Sequence, residues 1–421
     1  MSLEEYILNQ LKKIKPNTLK KVVPLIDYIR KLKNKPPIPL KEKLAEIELK
    51  DFSNDKVIML HGVSVGEVLS LENLIKKIKE NFPSHKLVLT TGTKTGQELA
   101  IKKYSDYADY ITYFPLDIYE SVEKFLNKIN PEVILIAETE LWPNFAQCAK
   151  EKNIPLYIIN ARISDKSYPS YLKLKNFFKL VLNFYSGIFC QSELDKKRFI
   201  SLGANPDTTC VMKNLKFEIA KKECDIDLLS SNSKLFIAAS THSGEDIIVL
   251  ETYKKLKEKI KDLKLLLAPR HLTRLDEIEK LLKNFDFKYG LRTNNDNFSQ
   301  NDIIILNTLG ELSKVYKLAD VVFIGGSFNK TGGHNPLEAT IFSKPVVSGP
   351  SIKNFRDIYS ILEHENAAFV VKDKKSFYEK LYKLLSDEEF YQTTTKNSQK
   401  CFESQQGACQ FVINILKTKL K

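Results

Sequence analysis

The chain has 421 residues with 43% hydrophobic and 28% charged side chains, which is globular in composition and too long for one ordinary core. Its 65 Lys and Arg against 52 Asp and Glu leave a net charge of +13, a surface suited to phosphates on nucleotides, nucleic acid or a membrane. Six dispersed cysteines without a CxxC pair, and six histidines without an HExxH, exclude a disulfide framework and leave no metal or other cofactor expected.

The first fifty residues carry twelve Lys and Arg against six acids. Within them, "LKKIKPNTLKKVVPLIDYIRKLKNK" repeats apolar residues at helical spacing among lysines. Such a segment lies on an anionic bilayer or packs on its own domain. No run of 18 apolar residues and no signal-peptide pattern is present, so the expectation is a cytosolic or peripheral protein.

From residue 57 onward, short apolar runs alternate with longer helical patterns. The expected strands are "KVIMLHG", "KLVLTTG", "YITYFPL", "EVILIAETE", "PLYIINAR" and "SGIFCQS", then "KLFIAAST", "KLLLAPRH", "DIIILNT", "DVVFIGG", "KPVVSG" and "AAFVVKD". Helices are expected over "SLENLIKKIKEN", "IYESVEKFLNKI" and "IIVLETYKKLKEKIKDL". Continuous apolar strands separated by helices mean parallel sheets covered on both faces. Twelve strands exceed one doubly wound sheet, so two Rossmann-like α/β domains are expected, meeting near residues 217–233. The last helical segments are expected to fold back onto the first domain.

Ligands of open parallel sheets bind at the carboxyl ends of strands. Here those ends carry His61, Thr90, Thr91, Glu138, Glu140, Asn160, Arg162, Ser240, Thr241, Arg270, His271 and Gly325-Gly326. Ser64 and Glu67 have the spacing of a capping box, so Glu67 reads either as a helix cap or as a carboxylate held for chemistry. Glu138 and Glu140 follow another strand, and Lys216 can balance their charge. "VVFIGGSFNKTGGHNPLEA" runs from a strand through a glycine loop to a helix with Pro336 in its first turn, and free N–H groups there suit anionic oxygens. It lacks the Walker ending and does not fit GxGxxG. Arg270 and His271 can grip a phosphate, and Leu309, Gly310 and Glu311 form a turn before a helix.

"HGVSVGE", "TTGTKTG", "ETELWPN", "NARIS", "NLKFE", "APRH", "LGEL", "GGSFNKTGGHNPLEA" and "NFRDI" occur in one order over residues 57–359. As an ordered set they resemble the Kdo (3-deoxy-D-manno-oct-2-ulosonic acid) transferases of lipopolysaccharide synthesis. The resemblance implies the GT-B architecture, with two facing Rossmann-like domains and an interdomain cleft. It divides the chain into a basic N-terminal segment (1–50), an acceptor-binding domain (51–216) and a CMP-sugar-binding domain (217–421). The implied activity is inverting, metal-independent transfer of Kdo from CMP-Kdo to lipid A precursor, at the cytoplasmic face of the inner membrane. Glu67 then matches the general base, and Glu138 and Lys216 match the stabilisers of the transition state. Arg270, His271, Leu309, Gly310, Glu311, Asn335, Pro336, Leu337 and Glu338 match CMP-binding positions. Two departures stand out: Lys213 replaces a small residue before "NLK", and the N-terminus is lysine-rich where relatives carry an apolar membrane segment. A UDP-sugar donor is the alternative with the same fold. Nucleic-acid binding is not expected, because the basic residues are not interleaved with stacking aromatics.

Overall fold

The computed structural model describes residues 2–18, 20, 27, 37–221, 223, 226, 228 and 233–420. The basic segment 11–35 therefore lies largely outside the described residues. The chain divides into two compact units, Met1–Glu218 with Gln406–Lys421, and Ile219–Gln405.

Among the described residues, the first unit holds seven strands: β1 (Val57–Gly62), β2 (Lys86–Thr91), β3 (Tyr110–Tyr113), β4 (Val133–Ala137), β5 (Leu156–Ala161), β6 (Gly187–Cys190) and β7 (Thr209–Val211). They pair in parallel in the order β3-β2-β1-β4-β5-β6-β7. Every residue of β1, β4 and β5 is buried, which is why these stretches are apolar throughout and do not alternate. One face packs on Val122, Phe125, Phe145 and Phe199. The other packs on Leu74, Ile75 and Ile78 of the helix Glu72–Asn81, together with Val412, Ile413 and Leu416 of the last helix, Ala408–Lys419.

The second unit repeats the plan with β8 (Lys234–Thr241), β9 (Leu263–Pro269), β10 (Tyr289–Leu291), β11 (Ile303–Ile305), β12 (Val321–Ile324), β13 (Val346–Ser348) and β14 (Ala368–Val370). Their order is β10-β11-β9-β8-β12-β13-β14, again all parallel. Strand order reverses direction between β1 and β4 and between β8 and β12. Each unit thus has one switch point where loops diverge and a ligand can enter.

All twelve expected strands form. The two that sequence reading missed, β7 and β10, are three-residue strands at sheet edges, too short for any periodicity to show. The expected C-terminal helical stretch is two helices broken at Gly407, whose φ of 106° suits glycine. Only the second of them belongs to the first unit.

His61, expected at a ligand edge, is instead a core residue. Its Nδ1 lies 2.9 Å from Thr90 Oγ1, its ring is 4.0 Å from Phe114, and burial pushes the imidazole down to about 3. It is neutral at physiological pH. Thr90 and Thr91 are buried as well.

The last helix closes one face of the first sheet, so Leu416→Ala removes a fully buried side chain there. The expected cost is about 2–5 kcal/mol, read as an earlier guanidinium unfolding transition.

Candidate active site

Three glutamates gather at the carboxyl edge of the first sheet. Glu67 opens the helix Val65–Ser70 directly after β1, while Glu138 and Glu140 follow β4. Glu67, Glu138, Thr139, Glu140, Arg162 and Tyr171 line one cavity of about 190 Å³. Like charges at such spacing are unfavourable unless cations or protons compensate.

Glu138 has the cations. Lys216 Nζ is 3.4 Å from one carboxylate oxygen and Arg162 Nε is 3.7 Å from the other. The placement of Lys216 is over-determined. Asn160 Oδ1 accepts from Leu215 N at 3.0 Å, and Asn214 Oδ1 accepts from Lys216 N at 2.9 Å. Asn214 is held in turn by donating to Gln191 Oε1 at 3.0 Å. Both Glu138 (φ 59°) and Asn160 (φ 54°) sit in the left-handed region. That conformation costs a non-glycine residue roughly 1–2 kcal/mol and clusters at functional sites. Lys213, the departure from the family pattern, turns its ammonium to Gln406 O at 2.9 Å and leaves the glutamates to Lys216 and Arg162.

Glu67 caps its helix, with Oε2 accepting from Val63 N at 2.7 Å and Oε1 from Ser64 Oγ at 2.8 Å. It also faces the cavity, and burial, outweighing the bond from Ser64 and reinforced by Glu138, raises its proton affinity. A carboxylate oxygen has more than one lone pair, so these bonds orient Glu67 without exhausting it. Glu140 is pushed up to about 7 by burial and by Glu67.

The second unit handles charge in the opposite way. Its glycine loop was expected to offer N–H groups to an anionic ligand, but one carboxylate already fills them. Glu245 is buried and accepts from Gly326 N (2.6 Å), Ser327 N (2.8 Å), Phe328 N (2.8 Å) and His242 N (2.9 Å). It thereby ties the loop after β8 to the loop after β12 across the switch point. Close approach here requires glycine: a Cβ at Gly325 would lie 2.5 Å from Ser240 O. Beside this cradle His242 Nε2 lies 2.8 Å from His334 Nε2 with the rings stacked, and His271 meets His242 edge-on. Burial, with help from His242 and Arg270, pushes His334 down to about 4.

Arg270 and His271 are exposed at the end of β9. Arg274 is the arginine committed to structure, pairing with Asp246 and donating to Thr241 O at 3.2 Å. Leu309 is 85% exposed and Gly310 takes φ 83° in the turn after β11, where Glu311 is paired with Arg292 at 3.1 Å. Asn335 Oδ1 accepts from Leu337 N at 3.1 Å. The expected helix is short, Leu337–Thr340, and Pro336 stands at its cap and not inside its first turn. Glu338 is half-buried in that turn. The CMP-position residues thus occupy loops after β9, β11 and β12, on one edge of the second sheet.

Sequence reading named Glu67, Glu138, Lys216, Arg270 and His271, which the structure places at the carboxyl edges of the two sheets. It did not name Glu245, His242 and His334, which lie together at the second of these edges. The available signal was "STHSGED", a strand ending in hydroxyls followed by acids at a helix start.

Two doubly wound units, each with a polar switch-point edge, are the GT-B architecture. A solved UDP-GlcNAc 2-epimerase from Neisseria meningitidis bound to UDP-GlcNAc shares the fold, with a TM-score of 0.56 at 14% identity over 86% of this chain and 100% of that one. The family profile described as 3-deoxy-D-manno-octulosonic-acid transferase (kdotransferase) matches residues 39–219, and that of glycosyl transferases group 1 matches residues 235–401. The 3-deoxy-D-manno-octulosonic acid transferase of Haemophilus influenzae is 33% identical over 373 residues, 86% of this chain and 87% of that protein. A bifunctional glycosyltransferase/methyltransferase of Fusobacterium nucleatum is 36% identical over 86% of this chain, which spans 57% of that relative's length. The chain belongs to the Kdo transferase family.

Replacing Glu245 by alanine strands four amide donors in a buried site. A loss of at least about 3 kcal/mol is expected, measured as a lower thermal transition. An unchanged transition would show that water takes over the cradle.

Proposed function

We propose that the protein transfers Kdo from CMP-Kdo to a lipid A precursor (lipid IVA), with inversion at the anomeric carbon and without a metal ion. The observation that carries this reading is the placement of Glu67: a carboxylate of raised proton affinity, oriented by two donors, in one cavity with the Glu138–Lys216–Arg162 charge cluster.

Glu67 accepts the proton of the acceptor sugar hydroxyl as that oxygen attacks the anomeric carbon. Its raised proton affinity suits it to that task near neutral pH, because a stronger base transfers the proton with more driving force. Lys216 and Arg162, clamped about Glu138, keep the polar edge fixed while charge redistributes, which is electrostatic preorganisation. The CMP phosphate falls to Arg270, whose planar guanidinium suits phosphate oxygens, with His271 beside it. Asn335, Pro336, Leu337 and Glu338, and the turn Leu309-Gly310-Glu311, bind the rest of the nucleotide.

We further place the enzyme peripherally on the cytoplasmic face of the inner membrane. The basic N-terminal segment supports this reading, as does the helix Leu3–Lys12, which exposes Leu3, Tyr6 and Ile7 while Leu8 anchors it to the first unit. Among the described residues no helix is long and apolar enough to cross a membrane.

Glu67→Gln keeps the shape of the helix cap and removes the base. Turnover should fall roughly 100- to 10,000-fold, while CMP, and not UDP, still raises the thermal transition of the variant. Near-wild-type turnover would remove Glu67 from the mechanism, and stabilisation by UDP alone would replace the donor. For the membrane role, a Leu3→Ser, Tyr6→Ser, Ile7→Ser variant should sediment less with anionic vesicles than the wild type. Equal sedimentation would contradict docking through that helix.

A further inference from the structure

Glu140 has no part in the mechanism above, yet it shares the cavity with its base. The cations of this edge are already distributed. Lys216 and Arg162 lie on Glu138 at 3.4 and 3.7 Å. Lys43, the cation that offsets Glu140, donates to Gly92 O at 2.8 Å and lies over the Tyr113 ring at 5.7 Å. Glu67 is satisfied by neutral donors only, Val63 N and Ser64 Oγ. Glu67 and Glu140 are therefore two carboxyls in one cavity, with Lys216 acting on Glu67 and Lys43 on Glu140 through space.

We infer that Glu140 acts on the reaction through Glu67, the two carboxyls forming one proton-holding unit in which the negative charge of Glu140 keeps Glu67 basic enough to take the acceptor's proton. This rests on the reading of Glu67 as general base and extends it. In the step itself the acceptor O–H bond breaks and its oxygen bonds to the anomeric carbon. The bond from that carbon to the phosphate oxygen breaks with its electron pair leaving on CMP, and the proton comes to rest on Glu67. Glu140 is thus a positioning residue that sets charge.

The surroundings of Glu140 are consistent with this role. Glu67 faces it from the helix after β1, Glu138 from its own loop, Lys43 from the helix Leu40–Lys43, and Tyr171 and Tyr185 from the helical layer beneath. Of these only Lys43 is cationic, and its ammonium is engaged elsewhere. Interacting carboxyls release their protons in two steps that belong to the pair. Glu140 is pushed up to about 7, with burial as the main cause and Glu67 the next. The sign follows: the doubly ionised pair, present above the upper step, is the stronger base. Neutralising Glu140 by mutation lowers the proton affinity of Glu67.

The test is the pH profile of kcat/KM for the full-length enzyme with CMP-Kdo and a lipid A precursor. The wild type should show an acidic limb set by this pair. In Glu140→Gln that limb should move to lower pH and the plateau turnover should fall about tenfold, well short of the loss at Glu67. Glu140→Asp, which keeps a charge in the cavity, should hold the limb nearer its wild-type position. Should Glu140→Gln not fold, Glu140→Ala is read in the same way. A limb that stays in place when Glu140 is neutralised, with Glu67→Gln inactive, overturns this inference alone. A Glu67→Gln variant of near-wild-type turnover overturns the reading beneath it.

Discussion

Two cations clamped on one carboxylate make the first site possible. Without Lys216 and Arg162, Glu138 would be a bare charge in a partly buried pocket with two other glutamates, an arrangement that protons or unfolding would resolve. The clamp is built far from the charges it controls. Asn160 at the end of β5 and Asn214 before the short turn Leu215–Phe217 hold the backbone that carries Lys216. Two left-handed residues, Glu138 and Asn160, aim the groups at a cost of roughly 1–2 kcal/mol each. Strain at a strand end is tolerable because the strands behind it are wholly buried and the sheet is continuous on both sides.

Once Glu138 is neutralised, the remaining two carboxyls are free to differ. Glu67 is oriented by a main-chain amide and a hydroxyl, which fix its direction without cancelling its charge. Burial then raises its affinity for a proton. In the proposed mechanism capping and catalysis use the same bonds, and the capping-box spacing gives Glu67 its orientation.

The second unit solves a different problem with the same chemistry. A nest of N–H groups at a glycine loop would attract any anion, and Glu245 settles the matter from within by filling it. What remains at this edge is the exposed Arg270 and His271 and a half-buried pair of stacked imidazoles whose proton affinity burial lowers. In the proposed mechanism nucleotide phosphate recognition falls to side chains at the ends of neighbouring strands, with the glycine loop supplying rigidity.

Much of this was legible in the sequence, and the reasons differ from case to case. Buried parallel strands must be apolar throughout, so twelve of them stood out, whereas Thr209–Val211 and Tyr289–Leu291 are edge strands too short to carry a pattern. Glu138 was legible as a carboxylate at a strand end, and Lys216 as a cation near the domain junction able to balance charge. His61 was misread because a polar residue ending a strand looks the same whether it faces a ligand or, as here, Thr90 and Phe114. Glu245 was missed because three of its four amide partners lie more than eighty positions away, and only the fold brings them together. The length of the helix after Pro336 was overestimated because "HNPLEA" has good helix formers but the chain turns after Thr340 to reach β13.

The proposed reaction is a transfer of Kdo from a cytidine nucleotide to a lipid sugar, and mass spectrometry of a lipid A precursor incubated with CMP-Kdo and the purified protein reads it out. The expected product is heavier by one or more Kdo residues, with CMP released in equal number. A lipid of unchanged mass, from protein that binds CMP and is folded, would contradict it.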